Sequence, residues 1–270
     1  MKIYQVDTFT HEKFKGNPAC VCVLPEGYIA AEKWMQTLAA EMNLSETAFV
    51  QAQPDGCFSL RWFTPTTEVD LCGHATLATS HILWQQGLLS KTKTALFDTL
   101  SGRLTVNLID TLMEMNFPVD PLKPCKQPVG LEMALGAQVV ATNEAGLDLL
   151  VELENEEALA NLQPSIQQIA QIPVRCVIVT ALANSASANK SSQVDFVSRV
   201  FGPQVGIDED PVTGSAHCSL TPYWAEKLGK TKMKARQISQ RGGDLSVELL
   251  GDRVIVSGEA VTVFSGELND

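Results

Sequence analysis

The sequence predicts an α+β protein of two pseudo-symmetric halves, each a largely antiparallel β-sheet or barrel wrapped around a central α-helix. Three observations predict it. A glycine-led run of small residues occurs twice, as Cys72-Gly73-His74-Ala75-Thr76-Leu77-Ala78 and as Thr213-Gly214-Ser215-Ala216-His217-Cys218, with Gly214 141 residues after Gly73. Each run is preceded by the same R-x-F-x-P pattern, Arg61 to Pro65 and Arg199 to Pro203. Two motifs repeated in one order argue for a duplicated half, against the alternative of chance likeness in a Gly- and Ala-rich chain. Strand-like segments also outnumber helical ones, without the regular βαβ alternation of a parallel sheet.

The chain has 270 residues, 45% of them hydrophobic, enough for one large core or two modest ones. The repeat favours two: 1–117, which a strand near 260–270 is placed to complete, and 128–259. A net charge of -11 argues against nucleic acid or an anionic membrane as partner. No apolar stretch approaches the ~20 residues of a membrane span. The first seven residues read as a strand and not as a signal peptide. The seven cysteines are scattered, several of them in apolar runs. Buried free thiols in a reducing compartment explain them, so a cytoplasmic location is expected.

In order, residues 1–9 and 19–24 read as strands joined through Gly16-Asn17-Pro18. Trp34, Leu38, Ala39 and Met42 give Ala30 to Met42 a helical apolar face. Asn43-Leu44-Ser45-Glu46-Thr47 breaks that helix ahead of a strand, Ala48 to Ala52, and Phe58 to Phe63 is another. A helix follows from Gly73 to about Gln86. Thr94–Thr99 and Arg103–Leu108, hinged at Ser101-Gly102, read as a hairpin, and Leu112 to Phe117 as a strand. Pro118, Pro121, Pro124 and Pro128 crowd a segment that reads as a linker. Strands are expected at 138–142, 147–153, 174–181 and 194–201, with a helix within 155–171 split at Pro164. Asn184 to Gln193 reads as a loop tip. The second central helix is expected from Gly214 to about Leu228, and the tail from Arg236 as a meander of short strands.

Both glycine runs resemble anion seats. A helix start offers unpaired N–H groups and the positive end of the helix dipole, and glycine lets a ligand approach the backbone. Glu46 sits in a polar break beside Ala48-Phe49-Val50, where partial desolvation raises a carboxylate toward proton-transfer range. The alternative is a strand-edge or capping glutamate. His74, in a first helical turn, is expected to stay neutral and offer one donor and one acceptor, or else only to bond a nearby carbonyl. Asp210 precedes the second seat, either as a helix cap or as a proton acceptor. Ser215 matches His74 and supplies a hydroxyl, or is simply a helix-start residue. Cys72, His74, His217 and Cys218 lack the spacing of a structural zinc site, so no metal is expected. No dinucleotide, Walker or serine-hydrolase motif is present, and no cofactor is expected.

Asn43-Leu44-Ser45-Glu46-Thr47-Ala48-Phe49-Val50, Phe63 to Thr76 (F-T-P-T-T-E-V-D-L-C-G-H-A-T), Glu209 to Ala216 (E-D-P-V-T-G-S-A) and Ser239 to Leu245 (S-Q-R-G-G-D-L) resemble the PhzF-like family, named for phenazine biosynthesis isomerase. They occur in the family's order over nearly the whole chain. The resemblance implies the diaminopimelate-epimerase-like fold, a substrate cleft between the halves, and a cofactor-free isomerase, often a homodimer. Glu46 falls on the family's general acid/base. Gly73, His74, Asp210, Gly214 and Ser215 fall on substrate-site positions. In the phenazine pathway the substrate is a dihydro-hydroxyanthranilate; here the expectation is a small carboxylate. The wider fold includes racemases with two thiols, but Thr213 stands opposite Cys72 in the repeat, which disfavours that chemistry. A metabolite-binding protein without catalysis is the remaining alternative.

Overall fold

The computed structural model describes residues 1–184 and 194–269. Its first unit comprises Met1–Asn116 with Ser257–Asp270, and its second comprises Phe117–Val256.

In the first unit, β1 (Lys2–Thr8) lies antiparallel to β2 (Asn17–Val23). Helix α1 (Glu32–Met42) carries the chain over to β3 (Glu46–Ala52), which therefore pairs parallel with β2. Strand β4 (Phe58–Phe63) runs antiparallel to β3 and is followed by the short β5 (Glu68–Val69). Helix α2 (Gly73–Gln85) is the second crossover, and β6 (Ala95–Thr99) pairs parallel with β4. Strand β7 (Gly102–Ile109) forms the expected hairpin with β6, and β8 (Leu112–Pro118) continues antiparallel.

The second unit repeats this plan. It opens with β9 (Leu122–Pro124), a short helix α3 (Leu131–Leu135), and β10 (Ala141–Ala145) antiparallel to β11 (Asp148–Glu152). Helices α4 (Glu156–Ala160) and α5 (Ile166–Ile169) precede β12 (Val177–Leu182), parallel to β11. Strand β13 (Phe196–Gly202) is antiparallel to β12 and to β14 (Ile207–Asp210). Helix α6 (His217–Leu228) then leads to β15 (Lys232–Gln237), parallel to β13, and to β16 (Gly243–Leu250). After β17 (Arg253–Gly258), β18 (Ala260–Glu267) pairs with β1 in the first unit. Each unit is thus largely antiparallel, with two parallel pairs at corresponding places where helices cross over.

The two central helices explain why the sheets curl. Ten of the thirteen α2 residues are buried, from His74 to Trp84, and eight of the twelve α6 residues. A helix apolar all round has no solvent face and must be enclosed. The repeat is also written in side chains. Arg61 grips Glu68 through two bonds of 2.6 Å, and Arg199 grips Glu209 at 2.7 and 2.9 Å. Each guanidinium lies over the phenylalanine two residues on, Phe63 at 5.2 Å and Phe201 at 5.1 Å. The R-x-F pattern therefore encodes a fork that clamps the strand before each central helix.

Four expectations change. The proline-rich stretch is no free linker. Residues from Phe117 belong to the second unit, and β9 pairs with β10. A three-residue strand at that position has Pro124 at its end, where a missing N–H is tolerated. The strand expected at 138–142 lies at Ala141–Ala145, and α3 ahead of it was not expected. The second central helix becomes regular only at His217, because its first turn is tighter. His217 N–H bonds Gly214 O and Cys218 N–H bonds Ser215 O, while Thr213 O accepts from the His217 ring. Residues 185–193 of the expected loop tip lie outside the described residues. All seven cysteines are free thiols.

Leu77, wholly buried on α2, tests the enclosed-helix account. Leu77→Ala should cost roughly 2–5 kcal/mol in urea unfolding; a loss below about 1 kcal/mol would mean that α2 is not a core element.

Candidate active site

Asn43 ends α1 in the left-handed conformation, φ 49, with its N–H on Ala39 O at 3.1 Å. Asparagine tolerates this cap conformation better than most residues. The turn that follows makes Glu46 the first residue of β3, in register with Ala19 of β2. Its side chain is only 12% exposed. The first turn of α2 brings His74 to it, with Nε2 3.2 Å from Glu46 Oε2. The N–H direction lies off the line of a regular hydrogen bond. Cys72 Sγ lies 3.5 Å from Nδ1 of the same ring. Thiol, imidazole and carboxylate thus form a row, Cys72–His74–Glu46.

Burial lowers the His74 pKa well below the ordinary histidine range, to about 3. The ring is therefore neutral at pH 7, as expected from sequence, although burial is the cause rather than the helix dipole. Its 3.2 Å approach to Glu46 is therefore that of a neutral ring and not an ion pair.

The helix start is open. Thr76 N–H and Thr76 Oγ1–H both donate to Cys72 O, at 3.2 and 2.6 Å. The main-chain N–H groups of Gly73, His74 and Ala75 have no acceptor among the described residues. Three adjacent donors at the positive end of a buried helix form an anion seat.

The second unit builds the same seat differently. Its first turn presents the N–H groups of Gly214, Ser215 and Ala216, again without acceptors among the described residues. His217 Nδ1 donates to Thr213 O at 2.9 Å, the counterpart of Thr76 on Cys72 O. Because a carbonyl only accepts, that ring carries its proton on Nδ1. Asp210 Oδ2 accepts from Thr213 Oγ1–H, and Ser215 is exposed with no side-chain hydrogen bond among the described residues. The structure therefore joins Glu46 with His74, and sets Asp210, Gly214 and Ser215 on one loop of the second unit.

Two residues escaped the sequence reading. Gln237, fully buried, accepts from Thr213 N–H at 2.9 Å and donates to Asp210 O at 2.7 Å. Ser239 donates to Pro211 O at 2.7 Å. A signal for Gln237 was present: Met233 and Ala235 point inward along β15, and Gln237 is a polar residue in the same apolar phase.

Glu46, Cys72 and His74 also place a carboxylate oxygen, a thiol and a ring nitrogen within 4.8 Å of one another, donors that suit zinc. The two closest approaches use different ring nitrogens, so one ion would engage one nitrogen and disrupt the other contact.

The α+β fold is that of the PhzF and diaminopimelate-epimerase-like structures. The chain belongs to the PhzC-PhzF family, described as phenazine biosynthesis-like proteins, whose pattern matches residues 6–266. It is 49% identical over 267 residues to an uncharacterized isomerase of Halalkalibacterium halodurans, covering 98% of this chain and 97% of that one. An uncharacterized isomerase of Pseudomonas aeruginosa is 46% identical over 272 residues, covering 100% and 99%. A PhzF-family crystal structure from Enterococcus faecalis superimposes with a TM-score of 0.92 at 40% identity, covering 99% and 98%. The fold alone extends to a hydroxyproline epimerase from Agrobacterium vitis, with 10% identity, a TM-score of 0.60 and coverage of 98% and 91%.

Burial also lowers His81 and His217, each to about 4. The unfolded chain takes up protons near pH 6.5 that these rings refuse until pH falls much further. Their stabilisation is complete above about pH 6.5 and declines below it, by about 1.4 kcal/mol per pH unit for each ring. His74→Gln should remove one such increment from the slope of stability against pH between about 4 and 6. Urea titrations at stepped pH check this, and an unaltered slope would mean that the folded ring is already protonated.

Proposed function

We propose that the protein is a cofactor-independent isomerase of a small carboxylic acid. The substrate carboxylate is held at the helix start opened by Gly73, where Glu46 carries the proton, and the start opened by Gly214 offers a like seat in the second unit. The observation that carries this reading is the 3.2 Å approach of Glu46 to His74, a residue that also contributes one of three adjacent unengaged N–H groups. The ionised Glu46 takes a proton from a substrate carbon. The electron pair of the broken C–H bond moves into the adjacent unsaturated system, and the proton returns to a different carbon. Charge that develops on the acid is met by fixed N–H dipoles that need no reorganisation. His74 orients the substrate beside Glu46, and Asp210 and Ser215 are the polar groups of the second unit's seat. From the family resemblance we carry forward a homodimer in the cytoplasm; the seven free thiols support a reducing compartment.

A two-thiol racemase lacks its second thiol, since Thr213 stands in the place equivalent to Cys72. A binding protein without catalysis shares the anion seats, but has no use for a buried carboxylate facing a neutral imidazole.

The test is solvent exchange. The protein, in deuterated water with dihydro-hydroxyanthranilate and a panel of small unsaturated carboxylic acids, should move deuterium into carbon of at least one. Glu46→Gln should lower that rate at least ~100-fold while the unfolding midpoint stays put. A ligand that binds tightly yet never exchanges a carbon-bound proton would support the binder, and an undiminished rate in Glu46→Gln would remove Glu46 from its role.

A further inference from the structure

Cys72 precedes α2 in extended backbone, φ −144 and ψ 111, yet its side chain does not cap the helix. The buried thiol turns toward His74 Nδ1. The neutral ring has one proton and two places for it. On Nδ1, it would donate to sulfur, a weak acceptor. Nε2 would then present a bare lone pair to a carboxylate oxygen 3.2 Å away. On Nε2, the N–H faces Glu46 and the thiol donates to Nδ1. Only the second arrangement suits all three groups.

The duplicated half gives an independent parallel. Thr213 occupies the place of Cys72, immediately before the glycine. Gln237 Nε2 donates to Thr213 Oγ1 at 3.3 Å, so the hydroxyl is left to direct its own proton to Asp210 Oδ2. In the second unit the side chain before the glycine thus donates to a candidate site group.

We propose that Cys72 is a positioning residue: its S–H donates to His74 Nδ1 and so holds the ring proton on Nε2, facing Glu46. The functional consequence rests on the reading of Glu46 as proton carrier. The ring so held keeps its N–H toward the carboxylate that carries the proton. The thiol orients, and does not itself exchange protons with substrate.

The tautomer is readable without turnover, by two-bond proton–nitrogen correlation on protein labelled with ¹⁵N-histidine at pH 7. The His74 signals are those lost in His74→Gln. In the native protein, His74 Nε2 should resonate as a protonated, pyrrole-type nitrogen, and Nδ1 as a pyridine-type nitrogen moved upfield by its hydrogen bond. Cys72→Ala should shift Nδ1 downfield, toward the unbonded position, and Cys72→Ser should restore it. A native ring protonated on Nδ1 overturns the proposal, as does an Nδ1 signal indifferent to Cys72→Ala. The backbone amide spectrum verifies the fold of each variant; should the alanine variant unfold, the native tautomer and the serine variant still decide. Because no substrate is involved, an inactive protein in the exchange assay would leave this result standing, and a wrong tautomer would leave Glu46's role standing.

Discussion

A helix buried along its length brings its own difficulty. Its first N–H groups have no partner inside the helix. Both units carry such a helix, and both handle its start alike. One carbonyl, Cys72 O or Thr213 O, is bonded by a side chain four residues on, and the three N–H groups that follow are left facing outward from the turn. The rest of each unit follows from enclosing that helix: the two parallel crossovers, the curl of the sheet, and the Arg–Glu fork on the strand before it.

The two halves have diverged in what surrounds that start. The first places a carboxylate and a neutral imidazole beside it, both buried, where each polar contact is strengthened by the low dielectric. The second places an aspartate, locked by Thr213 and by Gln237 from β15. The two helix starts therefore share a plan and differ in their neighbours.

Much of this was legible in the sequence, for definite reasons. Helical spacing marked α2 and its glycine start, and the repeated R-x-F marked the forks, although the glutamate partners emerged only in three dimensions. Glu46 and His74 were singled out separately; their 28-residue separation hid the contact, which depends on a parallel crossover through α1. The proline-rich segment misled because composition reports the loss of N–H donors and not the presence of an edge position. The late start of α6 was invisible because it turns on a histidine side chain replacing a backbone donor at Thr213 O. Gln237 was overlooked because one polar residue in a strand carries little weight until its partners are known.

The central claim is that the unengaged N–H groups bind a carboxylate. Amide chemical-shift titration with benzoate measures this directly. The account predicts that the Gly73, His74 and Ala75 amides, and those of Gly214, Ser215 and Ala216, shift in a saturable way while amides elsewhere on α2 and α6 hold still. Amides at both glycine turns that ignore the anion, with shifts confined to surface lysines, would contradict it.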